Sequence, residues 1–173
     1  MRALVLLGVL PLLLLAACGR PDGGAVTLPV VDVSAFAPSS DDPDPSRRID
    51  GVRIERYDGG RHVRRDQRVA YTSSPPVGGA HDQAWAACHG VVYTRPVRSE
   101  TLVHSMEHGA VWIAYDPARL PAAGVEALAA RVEGRPYTVL SPYPGMDTAV
   151  SLQSWGHQLQ VDDPADPRID RFV

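Results

Sequence analysis

The sequence predicts an α+β domain on a mostly antiparallel sheet, and three observations carry that expectation. Short alternating or β-branched segments, bounded by Gly and Pro, recur from Val52 to Val161. Helical periodicity is confined to Thr101–His108 and Pro121–Gly134. Strands therefore outnumber helices, and two main helices laid on a sheet are the layered solution that buries both apolar surfaces. Third, no internal repeat is visible, and residues 51–173 suffice to bury one core. A single globular domain over 51–173 follows.

The residues ahead of it read as an address and a tether. Arg2 precedes an apolar run, Ala3–Leu15, that is too short to span a bilayer. Leu15-Ala16-Ala17-Cys18 then has the form of a lipobox, so residues 1–17 are expected to be a lipoprotein signal peptide. Cys18 would be the lipidated first residue, its acyl chains (palmitate among them) sunk in membrane lipid. Such a protein is extracytoplasmic, held in the cell envelope by acyl chains rather than by a helix. Residues 18–50 are rich in Pro, Gly, Ser and Asp and read as a flexible linker, with Leu28–Val33 as a short apolar island. The chain has two cysteines. With Cys18 committed to lipid, Cys88 has no partner for a disulfide and reads as a small buried hydrophobe.

Within the domain, Val52-Arg53-Ile54-Glu55-Arg56-Tyr57 alternates as a half-buried strand, Asp58-Gly59-Gly60 turns, and Arg61-His62-Val63 starts a return strand. Val69–Tyr71 is extended. In Ser73-Ser74-Pro75-Pro76-Val77-Gly78-Gly79-Ala80-His81, two prolines stiffen the approach and two glycines allow a tight backbone that presents His81. Trp85–Cys88 is short and irregular or helical, and Val91–Tyr93 is a strand. The helix Thr101–His108 stops at Gly109, and Ala110–Tyr115 is a buried strand. Pro121 opens the clearest helix, Val125, Leu128, Ala129 and Val132 share its apolar face, and Gly134 ends it. Tyr137–Leu140, Ala149–Trp155 and Gln158–Val161 complete the strands around the turn Pro142–Gly145, and the tail from Asp162 is acidic and Pro-interrupted.

Charge excludes little but points away from nucleic acid. All seventeen basic residues are Arg, and the net charge is −3. Eight of them lie between Arg47 and Arg68, interleaved with Asp50, Glu55, Asp58 and Asp66. Mixed signs on an exported chain fit a solvated strand face, able to touch anionic headgroups, better than a nucleic-acid patch.

The chemistry concentrates in His104-Ser105-Met106-Glu107-His108. Helical spacing of four residues stacks His104 and His108 on one face, close enough to share a metal ion. His62 and His81 arrive from two other turn-rich segments, where a scaffold places ligands. The four imidazoles His62, His81, His104 and His108 are the expected ligands of one transition-metal ion, copper ahead of zinc because an all-imidazole site ranks them so. Glu107, about 100° around the helix from His108, is expected outside the ligand set, orienting an imidazole. The task would be metal holding or delivery rather than turnover. Two other readings compete. One is an envelope interaction module, binding a protein partner through Trp85 and Trp155, with the histidines as a structural network. The other is a zinc hydrolase using Glu107 as base, since His104–His108 also fits the H-x-x-E-H string of zinc peptidases. A shared site requires the histidines to converge. Met106, Met146 and Trp112 read as core, and His89 and His157 stand outside the set.

Gly60-Arg61-His62-Val63, the stretch from Tyr71 through Pro75-Pro76 to Gly79-Ala80-His81, and Leu102–Gly109 together resemble a family of bacterial domains of unknown function, the one numbered 3105. Val92-Tyr93, Tyr115-Asp116-Pro117 and Ser154-Trp155-Gly156 are weaker echoes. The resemblance implies that His62, His81, His104, Glu107 and His108 occupy motif positions and that the protein is exported or membrane-anchored. It implies no reaction.

Overall fold

Period-two alternation sends successive side chains of a strand to opposite faces, and in Val111–Tyr115 both faces are apolar. Val111, Ile113 and Tyr115 belong to one core cluster, Trp112 and Ala114 to another. A sheet apolar on both faces needs cover on both. The computed structural model, which describes residues 30–173, supplies it as a three-layer α+β domain. The expected signal peptide, Cys18 and the linker as far as residue 29 lie outside the described residues.

The chain runs through β1 (Arg53–Ile54), β2 (His62–Val63), β3 (His81–Asp82), β4 (His89–Val92), α1 (Ser99–Glu107), β5 (Val111–Tyr115), α2 (Ala122–Val132), β6 (Thr138–Pro142), β7 (Val150–Ser154), β8 (His157–Val161) and α3 (Pro167–Phe172). Six strands form one sheet in the order β1-β8-β7-β5-β6-β4. The pairings β1–β8, β8–β7 and β7–β5 are antiparallel, while β5–β6 and β6–β4 are parallel. The mostly antiparallel sheet expected from sequence is therefore present, with α2 supplying the crossover between the parallel strands β5 and β6. Leu128 and Val132 of α2 and Ile169 of α3 cover one face, against Ile113, Leu140 and Leu152. On the other face Leu102, Val103 and Met106 of α1 meet Trp112, Val139 and Met146. These three α1 side chains are at most 1% exposed, and each contributes about 2 kcal/mol of burial.

Helix α1 matters most, because it carries the chemistry. Glu100 sits in its first turn, where a carboxylate complements the helix dipole. Its end is a Schellman cap: the Gly109 amide donates to the Met106 carbonyl at 2.9 Å and the Ala110 amide to Ser105 at 3.0 Å. That turn holds Gly109 at φ +91°, a conformation suited to glycine.

Three elements differ from the sequence expectation. The hairpin over Val52–Val63 does not form. Instead β1 pairs with β8, and the turn at Gly59–Gly60 carries the chain away so that β2 pairs in parallel with β3. Alternation identifies a strand but not its partner. Val69–Tyr71 is in no strand, its Val69 amide donating to the buried Glu100 carboxylate at 3.0 Å. The acidic tail is ordered as a third helix, α3, capped where the Arg168 amide donates to Asp166 at 2.8 Å and tied to α2 by Arg131–Asp170 at 3.0 Å. Contact with the core also begins upstream of Gly51, since Pro45 and Ile49 are buried. Of the apolar island, Val30 is fully exposed. Among the described residues, no helix is long and apolar enough to cross a membrane.

Candidate metal centre

Two of the histidines are brought together by the smallest sheet in the fold. The parallel bridge between β2 and β3 sets His62 directly opposite His81, with ring centroids 4.9 Å apart. The approach to His81 is clamped: the Gly156 amide donates to the Val77 carbonyl at 2.7 Å, and the Gln158 side chain to the Pro75 carbonyl at 3.1 Å. Tyr71 Oη donates to the Ala80 carbonyl at 2.8 Å. The stiff Pro-Pro-Val-Gly-Gly segment is thereby fastened to the β7–β8 turn.

Helix α1 meets this bridge through His104. Its Nδ1 lies 2.7 Å from the Asp82 carbonyl. A carbonyl only accepts, so Nδ1 carries the proton and the neutral ring turns a bare Nε2 inward. His81 is fixed the same way, Nδ1 donating to the Gly79 carbonyl at 2.8 Å. Such hydrogen bonds on the far nitrogen are the usual means of aiming a metal-binding imidazole. Glu107 completes the group. Its Oε1 accepts a hydrogen bond from the Gly60 amide, and its Oε2 lies 3.0 Å from His81 Nε2.

His62, His81, His104 and Glu107 each offer one ligand atom, and those atoms all lie within 4.8 Å of one another. Three imidazoles and a carboxylate so placed can hold a metal ion. Burial grades across the group: His62 is exposed, His104 is 4% exposed and His81 is wholly buried. His81 Nε2 is near Glu107 but out of line for a hydrogen bond, and it is buried with no partner. A buried nitrogen lone pair held 3.0 Å from a carboxylate is unfavourable unless a cation is bound by both.

The charge states suit that role. Burial is the largest influence lowering the His104 pKa, and its three neighbouring imidazoles reinforce it against the opposing pull of the Asp82 carbonyl. For Glu107 burial pushes the carboxyl up, but the Gly60 amide and the imidazoles of His81, His104 and His62 outweigh it, and the pKa falls below the ordinary value. At neutral pH the pair presents a neutral imidazole and a carboxylate, the forms that bind metals.

Three of the four expected ligands, His62, His81 and His104, thus converge, and Glu107, expected outside the set, joins them. His108, at the end of α1, is exposed and touches the group from outside, its Nε2 2.9 Å from His104 Nε2. His89 lies on β4, and His157 pairs with Asp44 at 3.3 Å. Met106, Met146 and Trp112 are core, as read. Cys88 is half-buried, and burial raises its thiol pKa. Sequence reading missed the supports. Arg98 reaches both Asp82 and Glu100, so the N-terminus of α1 is tied to the strand bearing His81. Trp85, read from sequence only as a partner-binding residue, is 62% exposed and stands 5.3 Å from the His104 ring. No spacing signals these, although the Gly59–Gly60 turn that cradles Glu107 was visible as a turn.

Fold and site define the class: an α+β domain that gathers a three-histidine, one-glutamate cluster between a helix end and a two-strand bridge. The chain belongs to the family described as Protein of unknown function (DUF3105), whose model matches residues 62–173. The match opens at His62 and so contains every residue of the cluster. No curated protein and no solved structure matches the chain.

Proposed function

We propose that this protein is an extracytoplasmic lipoprotein, anchored in membrane lipid through acylated Cys18, that holds or delivers one transition-metal ion at His62, His81, His104 and Glu107. The observation that carries the reading is the buried Nε2 of His81, 3.0 Å from the Glu107 carboxylate yet with no hydrogen-bond partner. Nitrogen and oxygen donors of this kind rank copper(II) above zinc, which makes copper the favoured ion and zinc the next. Four protein donors fill a tetrahedral shell, as in sites that hold a metal, whereas catalytic zinc keeps a position open. With Glu107 among the donors, it is also poorly placed to act as base on a water bound to the same ion. Both points favour holding over hydrolysis.

Elemental mass spectrometry after loading with copper(II) or zinc and desalting tests the reading. The wild-type chain should retain about one equivalent, and a His81→Ala/His104→Ala variant almost none. Equal, substoichiometric amounts in both would end it, and the converged histidines would then be a structural network.

A further inference from the structure

One more imidazole stands at this centre without belonging to it. His108 ends α1, is exposed, and keeps its Nε2 2.9 Å from His104 Nε2. Because His104 gives its Nδ1 proton to the Asp82 carbonyl, its Nε2 has only a lone pair to offer. The hydrogen in the contact therefore comes from His108 Nε2–H. That lone pair is the one an ion at the centre requires. His108 thus sits on the outward side of a ligand and must let go of it when an ion arrives.

On the far side of His108 the surface is open. A cleft of about 260 Å³ is lined by His108 with Trp85, Cys88, Ser105 and Tyr137. The Trp85 ring lies 5.3 Å from His104 and 5.4 Å from His108, walling the path between them. Inward, by contrast, His81 and His104 are buried.

Building on the metal-holding reading, we infer that His108 is the exchange ligand through which the ion enters and leaves the centre, with this cleft as its route. Leaving a nearly closed set of donors directly would break metal–ligand bonds before any replacement forms. With His108 in contact with His104, a metal–nitrogen bond can form at His108 as the one at His104 breaks. The His108 Nε2 proton passes to its own Nδ1 through water, and no electrons change hands. A residue used this way speeds capture and release together and leaves the affinity nearly unchanged, because the resting ion does not depend on it.

The full chain in detergent micelles, loaded with copper(II) or zinc and counted by elemental mass spectrometry, is mixed in a stopped-flow instrument with an excess of a coloured chelator. Wild type and His108→Ala should each hold about one equivalent with affinities within about threefold, while the variant transfers and recaptures its ion at least ~10-fold more slowly. Equal rates at equal loading would overturn the inference. So would loss of the ion from His108→Ala, which would make His108 a holding ligand. A wild-type chain that binds no ion fails at the counting step, before any rate is measured, and that result removes the metal reading itself.

Discussion

Replacing His81 by leucine should separate what the buried imidazole does for the fold from what it does for an ion. In the ion-free protein His81 Nε2 is buried with no hydrogen-bond partner, an arrangement that costs roughly 1–3 kcal/mol. Its Nδ1 bond to Gly79 returns about 1 kcal/mol. Gly79 is only half-buried, so its carbonyl can turn to water once the donor is gone. Leucine is close to histidine in volume and leaves little cavity among His62, His104 and Trp155. The net effect of His81→Leu with chelator present should therefore be neutral to about 2 kcal/mol stabilising. With free ion at ~100 times its dissociation constant, wild type should gain about 2.7 kcal/mol and the variant nothing. For a domain of this size that gain raises the melting midpoint by roughly 10 °C. Thermal and urea unfolding of both proteins, with chelator and with metal, measure all four quantities. A variant stabilised by metal as much as wild type, or one that loses more than about 3 kcal/mol in chelator, would refute the reasoning.

Two further outcomes follow from single contacts. A Cβ at Gly59 would stand 2.7 Å from Glu107 Oε1. Gly59→Ala should thus shift the carboxylate without deleting it, lowering metal affinity by about tenfold while the melting midpoint stays put. Titration calorimetry giving wild-type affinity would remove Glu107 from the ligand set. Asp44 offers a pH test outside the histidine–glutamate group. Burial pushes its carboxyl up, but hydrogen bonds from Ser46, Arg47 and His157 outweigh it and hold the pKa at about 2 against 3.8 unperturbed. A depressed folded pKa means the contact stabilises above 3.8 and is lost as pH falls through about 2. Amide exchange over residues 34–48 should rise across that window, and Asp44→Asn should exchange faster already at pH well above it. Identical exchange in both proteins near neutrality would show that Asp44 does not hold the segment.

Much of the fold could be read because its signals are local. Val111–Tyr115 and Pro121–Gly134 announce a buried strand and an amphipathic helix by periodicity, and both appear within a residue or two. Pairing is not local. The sequence around β1 alternates, yet both of its residues are exposed, its partner β8 lies more than a hundred positions away, and the Arg53–Gln158 hydrogen bond at 2.7 Å that marks the register has no sequence signature. The tail failed for a related reason. Its prolines and acids describe a loop, while a single buried side chain, Ile169, docks α3 on the core and overrides them.

At the site the same limit decided which neighbour of His104 turns inward. Measured from His108, Glu107 is about 100° away and looks excluded. Measured from His104, the ring whose orientation the Asp82 carbonyl fixes, the two flank it, Glu107 by about 60° on one side and His108 by about 40° on the other. Helix geometry alone prefers neither. The choice is made by the β2–β3 bridge, which brings His62 and His81 to the Glu107 side, and by the Gly60 amide, which holds that carboxylate in place. The opposite side opens into the cleft at Trp85, and His108 turns there. A spacing motif therefore names the helix that bears the histidine–glutamate group. Which of its residues join that group is settled by strands that the motif does not contain.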